Sequence, residues 1–252
     1  MGIVEAHGIV TREIKYGDTS RILTVITREF GKISVLATGA RTNKSGLLAA
    51  TQLFSYVSFT LFKGREKSLY KINSGEIESS FSKIRNSLER MAYASYFCDI
   101  TNYVVQEDSP DTEQLNLLLN CLYMLAEDKL SYNMIKAVFE FRTLAIQGLV
   151  PDLTVCGDCT TLENLIYIDT ENGCALCEKC GEKKENLIRT GRAVINTIEY
   201  IAEAESKKIF AFKIPENLQK YMSDLGEYLI EKNLEKHFKT LDYLKSVQLL
   251  ED

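Results

Sequence analysis

The sequence predicts an α+β protein: a small closed β-barrel, then a helical domain interrupted by a cysteine-rich segment. Three observations carry this. The first 80 residues are short β-rich runs parted by glycine turns, the repeat period turns helical from about residue 82, and five of the seven cysteines fall between positions 156 and 180. Period is a reading of geometry, because strand side chains alternate with a period of two whereas helical ones recur at three and four.

Candidate strands cover 8–14, 21–27, 32–37, 53–62 and 69–77. In the fourth, Leu53, Val57, Phe59 and Leu61 fall on one face and Phe54, Tyr56, Ser58, Thr60 and Phe62 on the other. Turn signals stand at Tyr16-Gly17-Asp18, Phe30-Gly31-Lys32 and Lys63-Gly64-Arg65. Five short strands with few intervening helices favour closure, which removes the sheet's edges.

Beyond residue 82, Leu115, Leu118, Leu119, Leu122, Leu125 and Ala126 repeat at helical spacing, and Asp111 with Gln114 offers a capping box. The next helix holds Ile135, Val138 and Phe139 and stops at Gly148 and Pro151. A late helix starts near Pro215 and is expected to bury Leu218, Tyr221, Met222, Leu225 and Leu229. The expected domains are therefore 1–80 and 81–252, the second with an insertion at about 151–183.

Composition narrows the class. Hydrophobic residues make up 45% of the 252, enough for a substantial core, yet no apolar run reaches the roughly 18 residues of a membrane span. The start, Met1-Gly2-Ile3-Val4-Glu5-Ala6-His7, lacks the basic and apolar regions of a signal peptide, and Ala6 breaks the myristoylation pattern. A cytoplasmic protein without a membrane partner is expected. In that reducing setting seven cysteines do not suggest disulfides.

Cys156-Gly157-Asp158-Cys159 and Cys177-Glu178-Lys179-Cys180, separated by 17 residues, have the spacing of a tetrahedral zinc site. Each two-residue gap lets a pair of thiolates converge on one ion, and Gly157 and Gly181 permit the tight turns. Four cysteines leave no open position for a reacting water, so the zinc is expected to be structural. Cys174 is also two residues removed from Cys177 and is read as a spare thiol, while Cys98 and Cys121 are read as buried packing residues.

Parts for catalysis are missing. Gly39-Ala40-Arg41-Thr42-Asn43-Lys44-Ser45 looks like a phosphate loop but lacks the glycine before Lys44. There is no G-x-G-x-x-G, the two histidines are His7 and His237, and no carboxylates pair at a telling spacing. Charge is more informative. The net is −5, but residues 1–80 carry 11 Lys and Arg against 7 Asp and Glu, whereas 81–155 carry 6 against 10 and 156–252 carry 13 against 18. The basic third is also the barrel, and basic barrels with aromatic faces grip nucleic acid. Candidate contacts are Arg12, Lys15, Arg21, Lys32, Arg41, Lys44, Lys63 and Arg65; the acid-free loop 38–46 is the most suggestive element. Phe54, Tyr56 and Phe62 either stack on bases or pack internally.

Several segments together resemble the RecO DNA-repair family. Residues 16–34, YGDTSRILTVITREFGKIS, match its Y-G-E-led segment ending T-R-E-x-G-K-I-S, and Gly39-Ala40-Arg41 resembles its G-A-R loop. Residues 88–96, LERMAYASY, resemble the start of its first long helix. Phe139-Glu140-Phe141-Arg142, the 148–152 stretch GLVPD, the two cysteine knuckles and the 237–245 stretch HFKTLDYLK follow in order. One departure is Asn172-Gly173-Cys174, where the family commonly has paired glycines. The resemblance implies an N-terminal OB-fold, a helical domain and often a four-cysteine zinc module. It further implies binding of single- and double-stranded DNA, annealing of complementary strands without covalent chemistry, and a cytoplasmic, nucleoid-associated setting. The implied partners are RecR, usually RecF, the acidic tail of single-stranded DNA-binding protein (SSB), and RecA, which replaces SSB. A zinc-stabilised adaptor that binds protein through its barrel is the rival reading; a nucleic-acid-processing enzyme is the third.

Overall fold

A computed structural model describes residues 2–42, 47–64 and 69–251. The chain forms two compact units, Met1–Lys129 together with Phe238–Asp252, and Leu130–His237.

The first unit begins with five strands, β1 (Gly2–Tyr16), β2 (Ser20–Thr27), β3 (Gly31–Ala37), β4 (Tyr56–Lys63) and β5 (Tyr70–Ser79). They close into a barrel in the order β1-β2-β3-β5-β4, which is the OB-fold. Closure depends on the length of β1, which pairs with β4 from Gly2 to Ile9 and with β2 from Gly8 to Tyr16. A bulge between Val10 and Arg12 bends it from one partner to the other. The first strand thus starts earlier than its apolar run suggests, since its opening residues are held by β4. Leu23, Val25, Ile33, Val35, Val57, Phe59 and Leu61 fill the barrel. The alternation of Val57, Phe59 and Leu61 is as expected, but β4 begins at Tyr56, because Phe54 takes a left-handed φ of 67°. The Phe54 amide donates to Val10 O at 2.9 Å, and the Val10 amide donates to Ser55 O at 3.0 Å.

Helices α1 (Leu88–Val104), α2 (Thr112–Glu127) and α7 (Lys239–Glu251) complete this unit. Ser87 caps α1 by accepting from the Arg90 amide, and Asp111 caps α2 by accepting from the Gln114 amide at 2.9 Å. The Gln114 side chain reaches Thr101 Oγ1 at 3.5 Å. Cys98 and Cys121 are buried on α1 and α2, and burial pushes both thiols up. Helix α7 packs on α1: Phe238 meets Tyr96 edge-on at 6.2 Å, Thr240 Oγ1 donates to Asp99 Oδ2 at 2.8 Å, and Gln248 Nε2 donates to Tyr93 OH at 2.7 Å.

The second unit contains α3 (Tyr132–Ile146), a sheet module, α5 (Arg192–Glu203) and α6 (Glu216–Leu234). The module is β6 (Asp152–Cys156), β7 (Leu165–Asp169), β8 (Cys174–Cys177), the single turn α4 (Glu178–Gly181) and β9 (Ile188–Arg189), with sheet order β6-β8-β7-β9. Gly148, at φ 70°, follows the end of α3 as its sequence signal requires. Helix α6 buries Met222, Leu225 and Leu229, while Leu218 and Tyr221 are half-buried, Tyr221 OH donating to Arg189 O at 3.0 Å. Gly226 lets α6 approach α3 closely; a Cβ there would stand 2.7 Å from Glu140 Oε2.

Candidate metal centre and nucleic-acid interface

The two knuckles meet because β6 and β8 are parallel neighbours, Cys156 lying opposite Ala175. Cys156 ends β6, Cys159 follows in its turn, Cys177 ends β8 and Cys180 sits in α4. Their four Sγ atoms lie within 4.8 Å of one another. Cys159 and Cys177 Sγ are 3.7 Å apart, against about 3.8 Å for the edge of a tetrahedron with Zn–S bonds of about 2.3 Å. Among the described residues this is the one cluster of three or more metal-type donors.

Electrostatics prepare the first charge. Burial pushes the Cys156 thiol up, but amides of Cys177, Cys159 and Asp158 outweigh it and bring it to about 6. The Cys177 amide lies 3.4 Å from that sulfur. The neighbouring Cys177 and Cys159 sulfurs push Cys180 up to about 12. The cluster thus favours charge on Cys156 and resists it on Cys180. An all-thiolate donor set suits a soft or borderline ion such as zinc. Cys174 lies outside the cluster with its sulfur against Gly157, where a Cβ would stand 2.5 Å away. Gly181 is needed for packing, since a Cβ would meet the Tyr167 ring at 2.2 Å; neither it nor Gly157 takes the left-handed φ by which a turn would demand glycine. A Lys184–Asp158 pair at 2.9 Å ties the first knuckle down.

The barrel's cations are less uniform. Arg12 and Lys15 are exposed on β1. Arg21 pairs with Glu13 and donates to Thr51 O at 3.4 Å. Arg41 donates to Asp18 O at 3.0 Å, which straps it to the β1–β2 turn. These four lie at one end of β1; Lys63, opposite Gly2, lies at the other. Lys63 Nζ stands over the rings of Tyr70 at 5.1 Å and Phe30 at 5.8 Å, a cation–π seat. Lys32 is half-buried and donates to Asn102 O at 2.8 Å, at the carbonyl end of α1, where a cation complements the helix dipole. Lys44 and Arg65 lie outside the described residues.

The aromatic candidates separate as well. Phe54 is 1% exposed and offers no face to a base; Tyr56 is half-buried; Phe62 is exposed. Bulge residue Thr11, bonded to Asn102 Oδ1 at 2.7 Å, and left-handed Phe54 both line a cleft of about 540 Å³ between the outer face of β1–β3 and α1. Arg12, Thr24, Ser34, Ser95 and Asp99 also line it.

Two arrangements escaped the sequence reading. Arg142 donates to the carbonyls of Ile201 and Ala202, capping the C-terminal end of α5. Lys136, buried on α3, contacts Glu140 at 3.0 Å and Glu227 of α6 at 3.1 Å, and donates to Ser223 O at 2.9 Å. The 139–142 motif therefore serves packing within the second unit.

Two family models match the chain. That for Recombination protein O N terminal matches residues 1–81, and that for Recombination protein O C terminal matches residues 85–242. The chain belongs to the RecO family. A DNA repair protein RecO from Acetivibrio thermocellus is 36% identical over 248 residues, 98% of each chain. RecO proteins of Alkaliphilus metalliredigens and Caldicellulosiruptor saccharolyticus are 30% and 31% identical, covering 97% and 98% of this chain and all of their own. No helix among the described residues is long and apolar enough to cross a membrane.

Proposed function

We propose that this chain is a non-enzymatic recombination mediator in DNA repair. It binds single- and double-stranded DNA through its OB-fold barrel, anneals complementary strands without nucleotide, and works with RecR and RecF to exchange SSB for RecA in the cytoplasm. The observation that carries the reading is the convergence of Arg12, Lys15, Arg21 and Arg41 at the β1–β2 end of a closed OB barrel, in a chain of the RecO family. Residues 1–80 are the DNA-binding part. Residues 81–252, which hold the acidic excess, are the part free for RecR and the SSB tail. Cys156, Cys159, Cys177 and Cys180 hold a structural zinc that folds the 151–183 segment, too small for a core of its own. Zinc here supplies four fixed bonds and no reaction.

Binding through phosphates releases counterions, so affinity must fall steeply with salt and depend little on base sequence. The test titrates the full chain against labelled strands at several salt concentrations. The Arg12→Ala, Lys15→Ala double variant is expected to flatten the slope of log affinity against log salt by about one to two units. An unchanged slope in a folded variant removes this end of the barrel from the interface.

A further inference from the structure

We propose that the outer face of β1–β2–β3 beside the β1–β2 turn holds unpaired bases, with Tyr16 as the stacking residue, and makes the barrel prefer single strands to duplex. The inference rests on the barrel being the DNA-binding part.

Strand register assembles the face. Ile14 lies opposite Ile22, Ile22 opposite Leu36, and Leu36 opposite Lys71 of β5. Alternation puts all four on the outside, since Leu23, Val35 and Tyr70 between them point into the core. With strands about 4.8 Å apart, the row spans roughly 14 Å and is apolar until it ends on exposed Lys71. Two residues along β1 from Ile14 on either side, on the same face, stand Tyr16 and Arg12. Tyr16 is 56% exposed and Ile14 is 49% exposed.

Charge decides the occupant. On this face Arg12 flanks the apolar row at one end and Lys71 closes it at the other, while Lys15 and Arg21 project from the opposite side of the hairpin with Glu13, and Arg41 is strapped to the turn beside Asp18. A ligand that joins flat apolar faces to a regular run of anions fits, and unpaired nucleic acid is such a ligand. Duplex DNA hides its base faces in the stack and offers phosphates alone. Arg12 and its neighbours can serve both forms, whereas Tyr16 and Ile14 can serve only the single strand.

The experiment measures affinity of the full-length protein for an oligo-dT strand and for a blunt duplex of equal length, by fluorescence anisotropy at one salt concentration. Tyr16→Ala is expected to lower single-strand affinity at least about fivefold, the smaller end of a base–aromatic stack, with duplex affinity held within about twofold. Tyr16→Phe should keep the wild-type values, because stacking needs the ring and not the hydroxyl. Tyr16→Ala should also leave the salt slope unchanged, since no charge is removed. Equal loss on both DNAs, or no loss on either, overturns the inference while DNA binding itself stands. If the wild-type protein binds neither DNA, or Tyr16→Ala alters only self-association, the face serves a protein and the inference fails; the first of these results also removes the reading beneath it.

Discussion

At the residue scale, the cysteines were legible because metal spacing is local: a C-x-x-C pair can be read without knowing what lies elsewhere. Cys177→Ser is expected to release the metal and Cys174→Ser to retain it, as measured by metal content of the purified variants. The reverse pattern would falsify the ligand assignment. Cation partners were not legible, because Lys32 meets a carbonyl 70 positions away and Arg41 one 23 away. Gly31 shows the same limit. Its turn was readable, but its close approach to Ser109, where a Cβ would stand 2.1 Å from the carbonyl oxygen, was not. At φ 63° and with that backbone in the way, Gly31→Ala is expected to destabilise the first unit by more than about 1 kcal/mol in urea unfolding. His7 offers a pH test. Its hydrogen bond to Glu29 at 2.8 Å and the nearby Glu78 raise its pKa above the ordinary 6.5. The stabilisation is then fully present below the unfolded value and is lost as pH rises through the folded one. His7→Gln is expected to lower the melting temperature at about pH 5.5 and leave it unchanged at about pH 9, modestly because the pair is solvated.

At the scale of elements, existence and type could be read, but edges and interior polar groups could not. Period two located β4, yet Phe54 continued the apolar alternation while its backbone had already left the strand. The opening of β1 carries Glu5 and His7, so its pairing with β4 leaves little apolar signature. Charged residues also mislead on α3, where Lys136 and Glu140 look solvent-facing at i, i+4 and are instead 4% and 0% exposed. Lys136→Met strands a buried carboxylate and is expected to cost about 3–5 kcal/mol, whereas adding Glu140→Gln should recover most of that loss, since removing both charges is far cheaper than removing one. Chemical denaturation of the two variants checks this.

For the whole molecule, the family boundary near residue 81 and the compact units are different divisions: the second unit, Leu130–His237, interrupts the first. Nothing local announces this, because α7 reads as one more amphipathic helix and its docking on α1 spans some 140 positions. The interruption couples folding of the second unit, which carries the four-cysteine cluster, to the first unit through chain entropy. With the second unit unfolded, closing its two ends as a loose loop of about 108 residues costs roughly 4 kcal/mol. Chelation is therefore expected to lower protection of α1 and α7 amides in hydrogen exchange as well as that of the 151–183 segment. Equal protection of α1 with and without chelator would show that the units do not share this cost.

The return of α7 also sets an order of events in time. A ribosome delivers the barrel first, yet Phe238, Leu241, Leu244 and Val247, which are buried at the α7 end of the first unit, emerge only after the whole second unit has been made. Until then α1 carries Tyr96 without its Phe238 partner, so each nascent chain passes through a stage at which this unit is nearly made and still adhesive. A stop codon directly after His237 would make that stage permanent.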